Sequence, residues 1–297
     1  MFSALFTPEF FSRLETLRIR TRRRFLGSRP GSHLSLRRGA GIEFADYRHY
    51  TPGDDLRYID WTLYGRTDRF YVKLFQEEEE LYTYLFLDAS ASMAYPAQDQ
   101  KFARACDITL ALAYVVLARA DAVKLHLLTN EDKPLSTPFL RGRNRFLRLS
   151  DFLEPARPQG ALDFTAALVR HLESVHRPGK AILVSDFLFP PEVFLKGLNL
   201  LRGSNLDLTM IQVLGQDEVD PPLFAAGAQM VDSESGETLT VRFDARAKKE
   251  YQQRLDLHNR EIQSLCHQAG IHYVPFVTGQ EVQDFVLQKL PALGLLM

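Results

Sequence analysis

From residue 81 onward, apolar runs alternate with stretches of helical period. Tyr84-Leu85-Phe86-Leu87 is an uninterrupted apolar run, which predicts a strand buried on both faces. Ala181-Ile182-Leu183-Val184 repeats the pattern, and strands are predicted over 121–129, 180–185, 206–214 and 271–276. Apolar positions at helical spacing predict helices over 101–120, 144–153, 164–175, 192–201 and 282–290, and a long polar helix over 245–269. Strand and helix alternate, so the predicted fold class is α/β with a mostly parallel sheet. Only 228–232 and 238–243, flanking Ser235-Gly236, read as a hairpin.

The first eighty residues have a different texture. Phe10, Phe11, Leu14, Leu17 and Ile19 predict an amphipathic helix over 8–25. With Phe2, Leu5 and Phe6 they form an apolar group expected to pack on the protein itself or on a partner. Strands are predicted at 42–44 and 70–75. Thr51-Pro52-Gly53-Asp54 is turn chemistry, and Asp54 is the expected cap of a short helical stretch holding Ile59 and Trp61. The expected organisation is a small α+β module over 1–76 and an α/β domain over 77–297.

Composition narrows the function classes. The formal net charge is -1, so nothing drives the whole chain toward nucleic acid or anionic membrane. Arg13, Arg18, Arg20, Arg22, Arg23, Arg24, Arg29, Arg37 and Arg38 crowd the first forty residues, opposite the acidic run Glu77-Glu78-Glu79-Glu80. Without interleaved aromatics they favour a solvated face or a protein partner over nucleic acid. Cys106 and Cys266 form no CxxC and suit a reduced compartment. No segment reaches the ~18 apolar residues of a membrane span. The opening residues lack the pattern of a signal peptide, so a cytoplasmic location is expected. The eight histidines show no zinc spacing and are expected to be structural or at the surface. Walker and GxSxG motifs are absent from the sequence. Asp217, Glu218 and Asp220, ahead of Pro221-Pro222, read as a solvated loop.

The candidate chemistry lies where the first run ends, in Asp88-Ala89-Ser90-Ala91-Ser92. This puts one carboxylate and two hydroxyls at the carboxyl end of a strand, where open α/β sheets hold ligands. Hard oxygen donors suit Mg2+ or Mn2+. The same residues also suit the cap of the next helix.

Strand-DxSxS-helix resembles the metal-ion-dependent adhesion site of von Willebrand factor A (vWA) domains. The resemblance implies a Rossmann-like three-layer α/β/α fold and two further site loops. One contributes an aspartate after a later strand, a role that falls on Asp186 in Ser185-Asp186. The other contributes a threonine from a Gly-x-Thr turn. Gly160-Ala161-Leu162-Asp163-Phe164-Thr165-Ala166-Ala167-Leu168 is similar to that loop, but the threonine position holds Leu162. Asp163 and Thr165 are the substitute candidates, and both also suit a helix start.

A second resemblance rests on Gly41, Glu43, Phe44, Asp46, Arg48, Tyr50, Pro52, Gly53, Asp54, Asp55, Arg57, Ile59, Asp60 and Trp61. Their order resembles the signature of an uncharacterised prokaryotic family, the domain of unknown function 58. Relatives place it just before a vWA-like domain, and the chain is similar to the shorter subgroup without a transmembrane hairpin. Glu43, Asp46, Asp54, Asp55 and Asp60 alternate with Arg48, Arg57 and Arg66, which reads as a charged scaffold or a binding surface. Family members often accompany a MoxR-type AAA+ ATPase. The resemblance therefore implies a non-enzymatic, metal-dependent adaptor that meets an acidic residue of a protein partner. A Mg2+-dependent phosphoester hydrolase using Asp88 and Asp186, and a structural subunit with a degenerate metal site, are the alternatives.

Overall fold

The computed structural model describes residues 4–21, 43–76, 81–231 and 238–297. Helix α1 (Pro8–Leu14) starts at Thr7, whose hydroxyl accepts a hydrogen bond from Phe10 N at 3.2 Å. It stops well short of the predicted end at residue 25. Beyond it, Ile19 pairs antiparallel with Leu296, and Arg18 N donates to Met297 O at 2.8 Å. Extended pairing satisfies this backbone as a helix would, and it buries Ile19. Of the predicted apolar group, Phe2 lies outside the described residues, and Leu5, Phe6, Phe10, Phe11, Leu14, Leu17 and Ile19 pack on the protein itself. Phe6 and Phe11 each lie 5.3 Å from the Phe146 ring, and Phe11 lies 4.5 Å from Tyr114.

Residues 43–76 form a separate compact unit, whereas 4–21 belong with 81–297, so the boundary expected at 76 does not hold for the first helix. In the smaller unit, β1 (Glu43–His49) and β2 (Tyr71–Gln76) pair antiparallel around α2 (Trp61–Thr67). The predicted turn is present, with Asp54 N donating to Thr51 O at 3.0 Å. Asp54 is not the cap. It takes both arms of the Arg48 guanidinium, at 2.5 and 2.7 Å, which holds its carboxyl well below the usual range. Capping falls to Asp60, which accepts from Thr62 N at 2.9 Å and Leu63 N at 3.0 Å. The expected charged network is thus seen as local pairs, Arg48 with Asp54 and Arg57 with Asp55. The side chains of Glu43 and Asp46, the arginines from Arg22 to Arg38, and the run Glu77 to Glu80 lie outside the described residues.

The larger unit is built on β3 (Tyr82–Asp88), which leads through α3 (Lys101–Ala118) to β4 (Ala122–Leu128). A two-residue edge strand β5 (Leu135–Ser136) follows, too short to show in the sequence. Then come α4 (Phe146–Leu153), α5 (Phe164–Leu172), β6 (Gly179–Ser185), α6 (Pro191–Gly203), β7 (Leu206–Leu214) and the single turn α7 (Gln216–Val219). The predicted hairpin is β8 (Phe224–Val231) with β9 (Thr238–Phe243), its turn lying outside the described residues. Helix α8 (Ala245–Gln268), strand β10 (His272–Val277) and a final helix from Val282, with a π turn at Phe285–Lys289, complete the unit.

The sheet order is β10-β7-β6-β3-β4-β5, parallel except for β5. Alternate residues of each strand face opposite layers. Leu85, Leu87, Ile182 and Val184 join the cluster of α1, α3 and α4, whereas Tyr84, Phe86, Ala181 and Leu183 join that of α5, α6 and α8. The result is the expected three-layer, vWA-like α/β/α arrangement. The chain leaves β3 toward β4 on one side and β6 toward β7 on the other. The gap between the carboxyl ends of β3 and β6 is therefore the topological switch point. Among the described residues, no helix is long and apolar enough to cross a membrane.

Two of the histidines form a buried pair, as the structural reading expected. His126 stacks on Phe86 at 4.6 Å, and its Nδ1 lies 2.9 Å from Nδ1 of His171 on α5. One Nδ1 must donate and the other accept, which two neutral rings in opposite tautomers satisfy. Burial pushes both pKa values down, that of His171 to about 4, with Lys124 adding repulsion. The unfolded chain takes up these protons near pH 6.5. It then binds more protons there than the native pair, so the pair's contribution to stability falls as pH drops from about 6.5 toward 4. The double variant His126→Phe/His171→Leu should remove this contribution, so that it loses less stability than the native protein between pH 7 and pH 5. Urea unfolding of both proteins at pH 7 and pH 5 checks it, and an unchanged pH dependence would refute the assignment.

Candidate functional site at the switch point

Two neighbouring strands end at the switch point with a carboxylate each, Asp88 on β3 and Asp186 just after β6, both about 1% exposed. Each carries a side chain out of a fully apolar run, so neither meets bulk water before the sheet ends. Ser90 N donates to Asp88 Oδ1 at 2.8 Å, and the Ser185 hydroxyl donates to Oδ2 at 2.6 Å. Burial, with Asp186 nearby, lifts the Asp88 carboxyl to about 6 against these hydrogen bonds. In the folded state its proton is held more tightly than in an unfolded chain. Asp88 therefore opposes the histidine pair, with stability present at low pH and lost as pH rises toward about 6.

The Ser90 and Ser92 hydroxyls lie 3.0 Å apart. Adjacent oxygens around a Mg2+ ion at ~2.1 Å are also about 3.0 Å apart, so the two hydroxyls are spaced as neighbouring ligands of a small hard cation. Among the described residues, no group of three or more His, Cys, Asp or Glu side chains is arranged to hold a metal. A cation here would depend on the two hydroxyls with Asp88, and would keep much of its water.

The second loop is adjacent. Ala91 N donates to Gly160 O at 2.9 Å, and Gln159 N donates to Ala89 O at 3.0 Å. Gly160 has φ +70°, a left-handed turn that glycine adopts without strain. Leu162 then packs into the apolar layer of α5 and α6. Asp163 caps α5 by accepting from Ala166 N at 2.9 Å, while its own N donates to Asn130 Oδ1 at 2.9 Å. Thr165 sits in the first turn of α5. Asp88, Ser90, Ser92 and Asp186 thus share the rim, whereas Asp163 and Thr165 serve the helix start.

Three residues of the site were not read as such from the sequence. Lys101, wholly buried at the head of α3, donates from Nζ to Asp186 Oδ2 at 2.9 Å and to Glu218 Oε1 at 2.7 Å. Glu218, expected in a solvated loop, is buried on α7 and accepts from Gly215 N at 2.6 Å. Ser185 orients Asp88. Burial alone would push the Lys101 ammonium down, but the two carboxylates outweigh it and hold its pKa above the ordinary value. Burial lifts the Glu218 carboxyl, against the pull of Lys101. Breaking a buried ion pair by removing one partner costs ~3–5 kcal/mol. Lys101 did carry a signal. A cation at a helix N-terminus opposes the macrodipole, so an acid had to be close by.

Beside the site, the turn at Gly215 is pinned to the loop that follows Ser92. A Cβ at Gly215 would meet Pro96 Cδ at 2.5 Å and Asp99 Oδ2 at 2.6 Å, so only glycine allows this approach. Asp217 N donates to Asp99 Oδ2 at 2.9 Å across it.

The cap role of Asp163 separates it from the rim. Asp163→Ala should lower stability by about 1 kcal/mol and leave any Mg2+ or Mn2+ response unchanged. Denaturant unfolding with and without metal checks both parts, and a lost metal response would return Asp163 to the ligand set.

The chain is 26% identical over 266 residues to an uncharacterized protein of Mycobacterium bovis, covering 86% of this chain and 80% of that one. The Mycobacterium tuberculosis protein Rv1480, also uncharacterized, matches equally. Among solved structures, BatB from Bacteroides thetaiotaomicron is 14% identical, covers 72% of this chain and 98% of its own, and gives a TM-score of 0.41. The VWA domain of SpRpn10 is 13% identical, covers 70% and 94%, and gives 0.39. The family model described as "Protein of unknown function DUF58" matches residues 46–261, well over half of the chain, and the chain belongs to that family.

Proposed function

We propose that this chain is a non-enzymatic protein-interaction module that binds its partner at the switch-point rim with the help of Mg2+ or Mn2+. The convergence of Asp88, Ser90 and Ser92 beside Asp186 carries the reading. A bound divalent cation would supply an open coordination position for an acidic side chain of the partner. Ser90 and Ser92 would offer hydroxyl oxygens to it, and Asp88 would supply charge while Ser185 keeps its carboxylate in place. Asp186 would act through water, and the partner would present an exposed carboxylate. A MoxR-type AAA+ ATPase is the proposed partner class, as the family resemblance implies, and the cytoplasm is the proposed location.

The phosphoester hydrolase has less support. Its mechanism calls for a lysine near the phosphate, and Lys101 is near Asp186. That ammonium, however, is fully buried and committed to two carboxylates. Both oxygens of Asp88 also accept internal hydrogen bonds, which leaves a poor nucleophile.

Capture of the ATPase by the purified chain tests the proposal. Binding should need millimolar Mg2+, vanish with EDTA, and fall at least about tenfold in Asp88→Ala. Equal capture with EDTA, or by folded Asp88→Ala, would overturn the metal-bridged reading.

A further inference from the structure

The charge of the rim is already partly met from inside. Lys101 Nζ lies 2.9 Å from Asp186 and 2.7 Å from Glu218, with no exposure to solvent. We infer that Lys101 acts as a resident counter-cation, competing with the divalent ion for the charge of Asp186 and setting the metal affinity of the rim low. This rests on the cation site proposed above and names its regulator.

Three features point this way. First, Asp186 is held at both ends, because its Oδ1 accepts from Leu188 N at 3.2 Å and its backbone O accepts from Gln212 Nε2 at 2.8 Å. It cannot swing to a cation while keeping Lys101. Second, the lysine has a second seat. Glu218 is anchored through Gly215 N, so the ammonium keeps a carboxylate partner when the charge of Asp186 is shared with a cation through water. Third, the adhesion-type threonine is replaced by Leu162, which packs half-buried against the apolar layer of α5 and α6. With few protein ligands, the attraction of the acidic pair carries more of the affinity, and a nearby ammonium subtracts from it directly. The metal-free rim is then a stable folded state, and loading requires ion at high concentration.

The test compares the native protein with Lys101→Met and with Lys101→Met/Glu218→Gln. The double variant has the same formal charge as the native site but no ammonium beside Asp186. It therefore separates position from net charge, and it avoids leaving Glu218 buried without a partner. Calorimetric titration with Mg2+ and with Mn2+, and thermal unfolding with and without 10 mM of either metal, read the outcome directly on the full chain. The double variant should bind at least about tenfold tighter than the native protein, and metal should raise its unfolding temperature more. Adding Asp88→Ala should abolish the gain. If the native protein binds metal and the folded double variant binds with the same affinity, the counter-cation role is overturned while the site stands. If neither protein binds, both fall. Binding by the double variant alone would uphold the role of Lys101 and overturn the metal-dependent reading of the native rim.

Discussion

A lysine at the head of a helix, out of reach of water, must be met by carboxylates, and the upper edge of this fold is arranged around that requirement. Lys101 opens α3 against the helix dipole and is compensated by Asp186 from the β6 end and Glu218 from α7. Three separate connections are thereby fixed to one point. The turn that places Glu218 approaches the loop after Ser92 so closely that Gly215 admits no side chain. Asp186 is also the residue by which this ion network reaches Asp88, so the geometry of the rim depends on it.

The sheet explains why the rim lies where it does. β3 and β6 are neighbours from which the chain departs in opposite directions, so their carboxyl ends form the topological switch point. Both strands are buried on both faces by helix layers, which makes the ends of the strands the first points at which polar side chains are useful. Asp88 and Asp186 occupy those points, and Ser185 ties them together through its hydrogen bond to Asp88. A surface built this way is rigid and acidic at its base. Its carboxylates are already engaged, Asp88 by Ser90 N and the Ser185 hydroxyl and Asp186 by Lys101.

Most of the larger unit was legible in the sequence because its elements are strongly patterned. Tyr84 to Leu87, Ala181 to Val184 and the stretch 206–214 announced central strands, and all three are. The elements that escaped are those set by distant partners. The helix expected to reach residue 25 ends at Leu14 because Ile19 pairs with Leu296, far along the chain. The edge strand β5 is too short to carry a period. The candidate site divides the same way. Asp88, Ser90, Ser92 and Asp186 sit at strand ends and could be read locally. Glu218 could not, and Lys101 only through its place at a helix start, because each makes sense only beside the other. Asp163 was ambiguous locally, and the structure gives its carboxylate to Ala166 N.

The most direct measurement is amide NMR of the isotopically labelled chain during titration with Mn2+, whose unpaired electrons broaden signals within a short radius. The amides of Ser90, Ala91, Ser92 and Phe187 should broaden first, and excess Mg2+ should restore them. Broadening that begins elsewhere, or none at millimolar Mn2+, would contradict a cation-assisted rim.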